Sequence, residues 1–199
     1  MTHTPLNVEE LRDQLHALAT RDGIRQWDLG ASRGMNASVQ VDRGEAKQMK
    51  AAQRSSITVR VWNEQGLVGV TSTSDLSPGG LDKALKGAYQ ASSFGNAEDI
   101  PGFSPLATAA IPELDRPLKP SQSIQTLLST LKDVEGELLA KHPAIETVPY
   151  NGLSEGNSER IYLNSEGALR HMQRTQASLY LYARAEESGR KPRSGGAVR

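Results

Sequence analysis

Apolar residues at Val8, Leu11, Leu15 and Leu18 recur at three- and four-residue steps, which predicts a helix with one buried stripe. Asn7 stands where a helix cap is wanted, and Glu9 and Glu10 complement the dipole of the first turn. Gly23 is the predicted stop. The period then shortens to two. Trp27–Ala31 is a short mixed strand, and Ala37–Val41 alternates. Residues 42–53 are polar and read equally as strand or loop. Ile57, Val59 and Val61 alternate with Thr58, Arg60 and Trp62, turn through Asn63-Glu64-Gln65-Gly66, and return as Leu67–Thr71. This pattern predicts a hairpin.

Ser77 and Pro78 then open a second helix as cap and first residue, with Leu81, Ala84, Leu85 and Ala88 facing one way and Gly95 closing it. Residues 96–120 carry prolines at 101, 105, 112, 117 and 120, which exclude a long helix and predict an extended connector. No residue of this stretch is a candidate for chemistry. A third helix starts at Ser121 or Ser123, buries Ile124, Leu127, Leu128, Leu131, Leu138 and Leu139, and ends at His142-Pro143. Strands follow at 147–150, at 160–163 and 168–170 around the turn Asn164-Ser165-Glu166-Gly167, and at 178–183. From Glu186 the chain is rich in Gly, Ser and Arg and is expected to lack regular structure.

The predicted class is α+β: amphipathic helices packed on a mainly antiparallel sheet built from hairpins. The expected divisions are an N-terminal domain over 1–95, a Pro-rich connector over 96–120, a helix with strands over 121–186, and a flexible tail over 187–199. Two Asn-x-x-Gly turns, at Asn63 and Asn164, each follow an amphipathic helix. Common hairpin chemistry selects Asn and Gly there. Duplication into two similar helix-plus-sheet halves is the alternative.

Composition narrows the function. The apolar fraction is 37 %, below the roughly 45–50 % usual when Gly is also counted. A lean core of this kind is often covered by a partner or another domain. The 23 basic and 23 acidic residues cancel, which argues against a dedicated nucleic-acid binder. With no cysteine, disulfides, thiolate zinc sites and thiol catalysis are excluded, and a cytoplasmic setting fits best. No stretch reaches the length of a membrane span, and Met1–Pro5 has neither the basic start nor the apolar run of a signal peptide.

The search for chemistry returns little. His3, His16, His142 and His171 show no metal-ligand spacing. His142 and His171 joined by an acid are the residual combination; otherwise His142 ends a helix and His171 faces solvent. Ser72, Ser74 and Ser77 surround Asp75 as a candidate activated serine, but the pattern equally suits a strand end and helix cap. Gly79-Gly80, just inside a helix start, is a candidate for close anion approach. The basic residues Arg184, Arg190, Lys191, Arg193 and Arg199 suit an acidic partner or a solvated tail. Tyr180 and Tyr182 share one strand face and Leu179 and Leu181 the other, a pattern suited to burial on both sides.

The block Ser55–Val61, then Gln65-Gly66-Leu67-Val68-Gly69-Val70-Thr71-Ser72-Thr73-Ser74-Asp75-Leu76-Ser77 and an Ala/Leu helix, resembles the TldD/PmbA family. The opening helix, the Gly44-Glu45 region and the later Ile161–Gly167 are similar to it as well. The resemblance spans most of residues 6–186. It implies an intracellular protein described as a zinc metallopeptidase or a modulator of DNA gyrase. It also implies a homodimer or heterodimer around a central cleft, with unfolded peptide as the candidate substrate. One branch of the family carries a His-Glu-x-x-x-His zinc motif in its C-terminal half; the other lacks it and acts as partner subunit. The resemblance therefore assigns no catalytic, cofactor-binding or metal-ligating residue within this chain.

Overall fold

The computed structural model describes residues 7–98, 100–112, 118–191 and 193–198. Along the chain it places α1 (Val8–Arg21), β1 (Gln26–Asp42), β2 (Glu45–Trp62), β3 (Val68–Thr73) and α2 (Pro78–Ser92). Then come α3 (Ile124–Ala140), β4 (Ile145–Asn164), β5 (Leu169–Ala185) and β6 (Arg193–Val198). The strands form one sheet in the order β3-β2-β1-β4-β5-β6. β3 runs antiparallel to β2 from Ile57↔Thr73 to Trp62↔Val68, and β6 antiparallel to β5 from Leu179↔Val198 to Arg184↔Arg193. β1 and β4 also run in opposite directions: Ser165 N donates to Trp27 O, while Val41 meets Asn151. The α+β class is as the pattern predicts.

The chain divides into two compact units: Met1–Gly34, Arg54–Pro117 and Ser158–Gln173 form one, and Met35–Gln53, Leu118–Asn157 and Arg174–Arg199 the other. In the first, α1 and α2 cover one face of the sheet. Leu11 and Leu15 of α1 and Leu81 and Leu85 of α2 pack against Trp27, Leu29, Ile57, Val59, Val61, Ile161 and Leu163. These strand residues alternate, so the period of two buries one face. Asn7 caps α1, its Oδ1 accepting from Glu10 N at 3.1 Å. Ser77 caps α2, its Oγ accepting from Gly80 N at 3.2 Å. β3 lies so close to α2 that a Cβ on Gly69 would sit 1.9 Å from Ala88 O.

In the second unit α3 lies on β1, with Leu127 and Leu131 against Val39 and Val41. Its cap is Ser123, whose Oγ accepts from Thr126 N at 3.0 Å. The buried stripe continues to Glu135, 1 % exposed, where leucine spacing alone suggests Leu138 and Leu139. The buried Asn151 ties β4 to β1 through its side chain. Its Oδ1 accepts from Val41 N at 2.9 Å, and its Nδ2 donates to Val41 O and Val148 O. Tyr180 and Tyr182 lie over glycines: a Cβ on Gly152 would meet the Tyr180 ring at 2.6 Å, and one on Gly195 the Tyr182 ring at 2.1 Å.

Several expectations need correction. The short strands of the sequence pattern are pieces of long ones: 17 residues in β1, 20 in β4 and 17 in β5. Residues 42–53 resolve into a turn at Arg43 and Gly44, both at positive φ, and the first half of β2. That half is exposed along Glu45–Arg54, so no alternation marks it as a strand. α2 ends at Ser92, and Gly95 N donates to Ser92 O beyond it. The expected tail over 187–199 contains β6, held by backbone pairing to β5. Its Gly- and Ser-rich composition hides this, because the register is set by partners on the neighbouring strand.

Candidate functional site

The sheet face of the first unit that α1 and α2 leave uncovered carries the alternate residues of the same strands. Gly30, Ser32, Ser56, Thr58, Arg160, Tyr162, Arg170 and Met172 line a groove there of about 510 Å³, with Ile111 contributing from the connector. The volume is in the range of small-molecule and peptide sites.

A charge network borders the groove. Asp28, 3 % exposed, accepts from Arg60 Nε at 2.9 and 3.1 Å, from Arg60 Nη2, and from the Tyr162 hydroxyl at 3.2 Å. Hydrogen bonding to Asp28 raises Arg60 above its ordinary value. Burial first, and the Asp28 charge second, raise the Tyr162 phenol. Arg60 also lies 5.4 Å from the centre of the Trp62 ring, a cation–π contact. The paired Asp28 is thus an anchor for Arg60 and Tyr162 rather than a free base.

The connector is fastened to this face at two places. Trp62 Nε1 donates to Pro101 O at 2.8 Å, and the Phe103 ring meets Trp62 edge-on at 4.9 Å. Arg170 Nη2 donates to Leu106 O at 3.2 Å and to Ala109 O. The connector has no helix or strand among its described residues, yet it forms a margin of the groove.

His171 has a partner that its sequence position does not reveal. It is exposed as expected, but it is also tethered: its ring Nε2 lies 2.7 Å from Oε1 of Glu159, which is 2 % exposed and also accepts from Gln173 Nε2 at 3.3 Å. His142 turns back on its own loop, Nδ1 accepting from Ala144 N at 3.1 Å. His16 is exposed on α1, and His3 lies outside the described residues. Among the described residues, no cluster of three or more His, Asp or Glu has the arrangement to hold a metal ion.

The Ser72–Ser77 cluster is structural. Ser77 caps α2, Ser77 N donates to Asp75 Oδ1 at 2.9 Å, and Ser72 meets Thr58 across the strands at 2.9 Å. Hydrogen bonds from Ser77 lower the Asp75 carboxyl. Gly80 is buried and its N–H already donates to Ser77 Oγ, so that amide is not open to an anion. Of the basic residues, Arg184 pairs with Glu146 at 2.9 Å and Lys191 with Glu186 at 2.9 Å. Arg199 lies outside the described residues. Leu179 and Leu181 line an apolar trough with Leu138, Ile145 and β6.

The two Asn-x-x-Gly turns are built alike. Asn63 Oδ1 accepts from Gln65 N at 3.0 Å and Leu67 N at 2.9 Å; Asn164 Oδ1 accepts from Glu166 N at 3.1 Å and Ala168 N at 2.8 Å. Gly66 and Gly167 take φ of 79° and 87°. Both turns belong to the first unit, and local turn chemistry accounts for both without a duplicated half.

With this geometry in view, the chain can be placed among known proteins. Residues 27–92 match the model for PmbA/TldA metallopeptidase domain 1, and residues 117–198 the model for the PmbA/TldA metallopeptidase central domain. No curated protein sequence matches it significantly. Among solved structures it is similar to a candidate modulator of a DNA gyrase from Thermotoga maritima, at 18 % identity and TM-score 0.77. It is similar to TldE from Thermococcus kodakarensis, at 15 % and 0.72, and to a candidate modulator of DNA gyrase from Bacteroides thetaiotaomicron, at 16 % and 0.75. Each alignment covers 95 % of this chain but only 42 %, 42 % and 44 % of the respective structures. At these identities the likeness establishes the fold, and the chain spans less than half the length of the relatives. The chain belongs to the TldD/PmbA family and corresponds to the family's first and central domains.

Proposed function

We propose that this chain is the N-terminal, cleft-forming and dimerisation portion of an intracellular TldD/PmbA-like metallopeptidase, or of its zinc-free partner subunit. The observation that carries this reading is the ordered match to domain 1 and the central domain. More than half of each structural relative has no counterpart in this chain, and the reading assigns the hydrolytic chemistry to that remainder. The role left to this portion is to wall the cleft and hold extended peptide.

Two features suit that role. The groove on the uncovered sheet face has room for a short peptide. Residues 45–54 of β2 lie beyond the stretch paired with β3, and an open edge offers unpaired backbone groups to an added strand. The test is to read the gene past Arg199 for a helical His-Glu-x-x-x-His motif. Its presence supports the peptidase branch, and a motif-free continuation of the same fold supports the partner subunit. A natural reading frame that stops at Arg199 removes the enzyme form of the proposal.

The same groove and edge favour a second reading, a peptide- or protein-binding module without catalytic activity. A direct role at DNA, suggested by the names of two structural relatives, is opposed by the zero net charge.

A further inference from the structure

The groove has an imbalance of charge. Among the described residues it is lined by two guanidiniums, Arg160 and Arg170, and by no acidic residue. Arg170 spends its hydrogen bonds on the uncharged carbonyls of Leu169, Leu106 and Ala109. Arg160 is exposed and makes no ion pair among the described residues. Among the described residues, the carboxylates bonded to lining residues are already engaged: Asp28 by Arg60 and Tyr162, and the buried Glu159 by His171 and Gln173. Neither is left to neutralise Arg160 or Arg170. Ser32 and Ser56 add hydroxyls beside them, and Ile111, Met172 and Ala31 supply apolar wall.

We infer that this groove binds a carboxylate carried on a short extended peptide, with Arg160 as its principal anchor. A guanidinium presents a planar fork of donors that matches a carboxylate, and a cleft with one sign of charge concentrates the opposite sign. The apolar wall fits the aliphatic part of such a ligand and gives the free carboxylate of a buffer ion less to hold. The carboxylate has two sources, an acidic side chain or a free peptide C-terminus. The inference concerns the groove of this chain alone and stands whether or not the whole protein is a peptidase.

The test is titration of the isotope-labelled chain at low ionic strength with three peptides: acetyl-Ala-Glu-Ala-amide, acetyl-Ala-Ala-Ala with a free C-terminus, and acetyl-Ala-Ala-Ala-amide. Amide shifts at Gly30, Ser32, Ser56 and Thr58 report the groove. Either charged peptide is expected to move these signals with an affinity about tenfold above that of the neutral amide, by the usual strength of a hydrogen bond to a charged group. The tighter of the two identifies the source. Arg160→Gln is expected to remove that preference, Arg160→Lys to retain part of it, and added salt to weaken it. Equal binding of the neutral peptide, an unchanged preference in Arg160→Gln, or no groove shifts at millimolar peptide would overturn the inference. Arg160 is exposed, so an unchanged amide spectrum outside the groove verifies that the variant folds.

Discussion

Glu135 of α3 holds Gly44 at the β1–β2 turn: its Oε2 accepts from Gly44 N at 2.7 Å, and its Oε1 from Arg43 N at 3.2 Å. One buried carboxylate therefore satisfies two amides of a turn whose residues both take positive φ. Glu135→Ala would leave these amides without their acceptor. The expected cost is about 2–3 kcal/mol, the range for a lost hydrogen bond to a charged group, read as a lower urea midpoint. Glu135→Gln keeps one acceptor oxygen and should recover part of the loss. A midpoint unchanged in both variants would show that the pairing contributes nothing.

Asn63 and Asn164 fold their hairpins by the same device, but Asn164 is buried and Asn63 only partly so. Each Ala variant is expected to destabilise the fold by about 1–2 kcal/mol, with Asn164→Ala the more severe. Asp at either position keeps the acceptor oxygen and should be milder. Thermal unfolding of the four variants checks this order.

Close packing makes the glycines unequal. Gly69→Ala would force a methyl into the backbone of α2 at Ala88 and Ser92. It should cost about 3 kcal/mol or more, at the upper end of overpacking. Gly195→Ala meets the Tyr182 ring, which can rotate away at the surface. It should therefore loosen β6 alone, seen as faster hydrogen exchange over 193–198 with little change in the global midpoint. Gly196→Ala, with nothing within 4 Å of the added Cβ, is the control.

The pair Arg21–Asp82, 2.5 Å between Nη2 and Oδ1, ties α1 to α2. Arg21 first and Lys86 second hold the Asp82 carboxyl below its ordinary value. A carboxyl lowered in the folded state adds stability above the ordinary aspartate range and loses it as pH falls through the folded value. Asp82→Asn should therefore lower Tm slightly at neutral pH, and the difference from the parent should vanish in acid. Because the pair is exposed, high salt should shrink the difference at neutral pH. A difference that persisted in acid would assign the effect to packing.

The parts of the fold visible in sequence are those with one buried face. The α1 stripe, the α2 cap at Ser77 and the Ile57-Val59-Val61 alternation each appear because a solvent side contrasts with a core side. Glu45–Arg54 is exposed along its length, so the residue types carry no period and only the neighbouring strand makes it a strand. β6 is hidden for the same reason.

The site was less legible. Asp28, Arg60 and Tyr162 are separated by 32 and 134 residues along the chain from their partners, and only the strand order brings them together. Glu159 and His171 meet across the β4–β5 hairpin, whose turn at Asn164–Gly167 the sequence does mark, but the pairing of the two side chains leaves no sequence signal. Glu135 did leave a signal, standing four residues after Leu131 on the apolar stripe, where a charge calls for a buried partner.

The proposal at the centre is that this portion of a TldD/PmbA-family protein binds peptide and walls a cleft without itself catalysing. The most direct measurement is hydrolysis of an unfolded peptide by the purified chain with zinc added. The account predicts no cleavage above the zinc-only control. Cleavage proportional to protein concentration, lost on chelation, would contradict it.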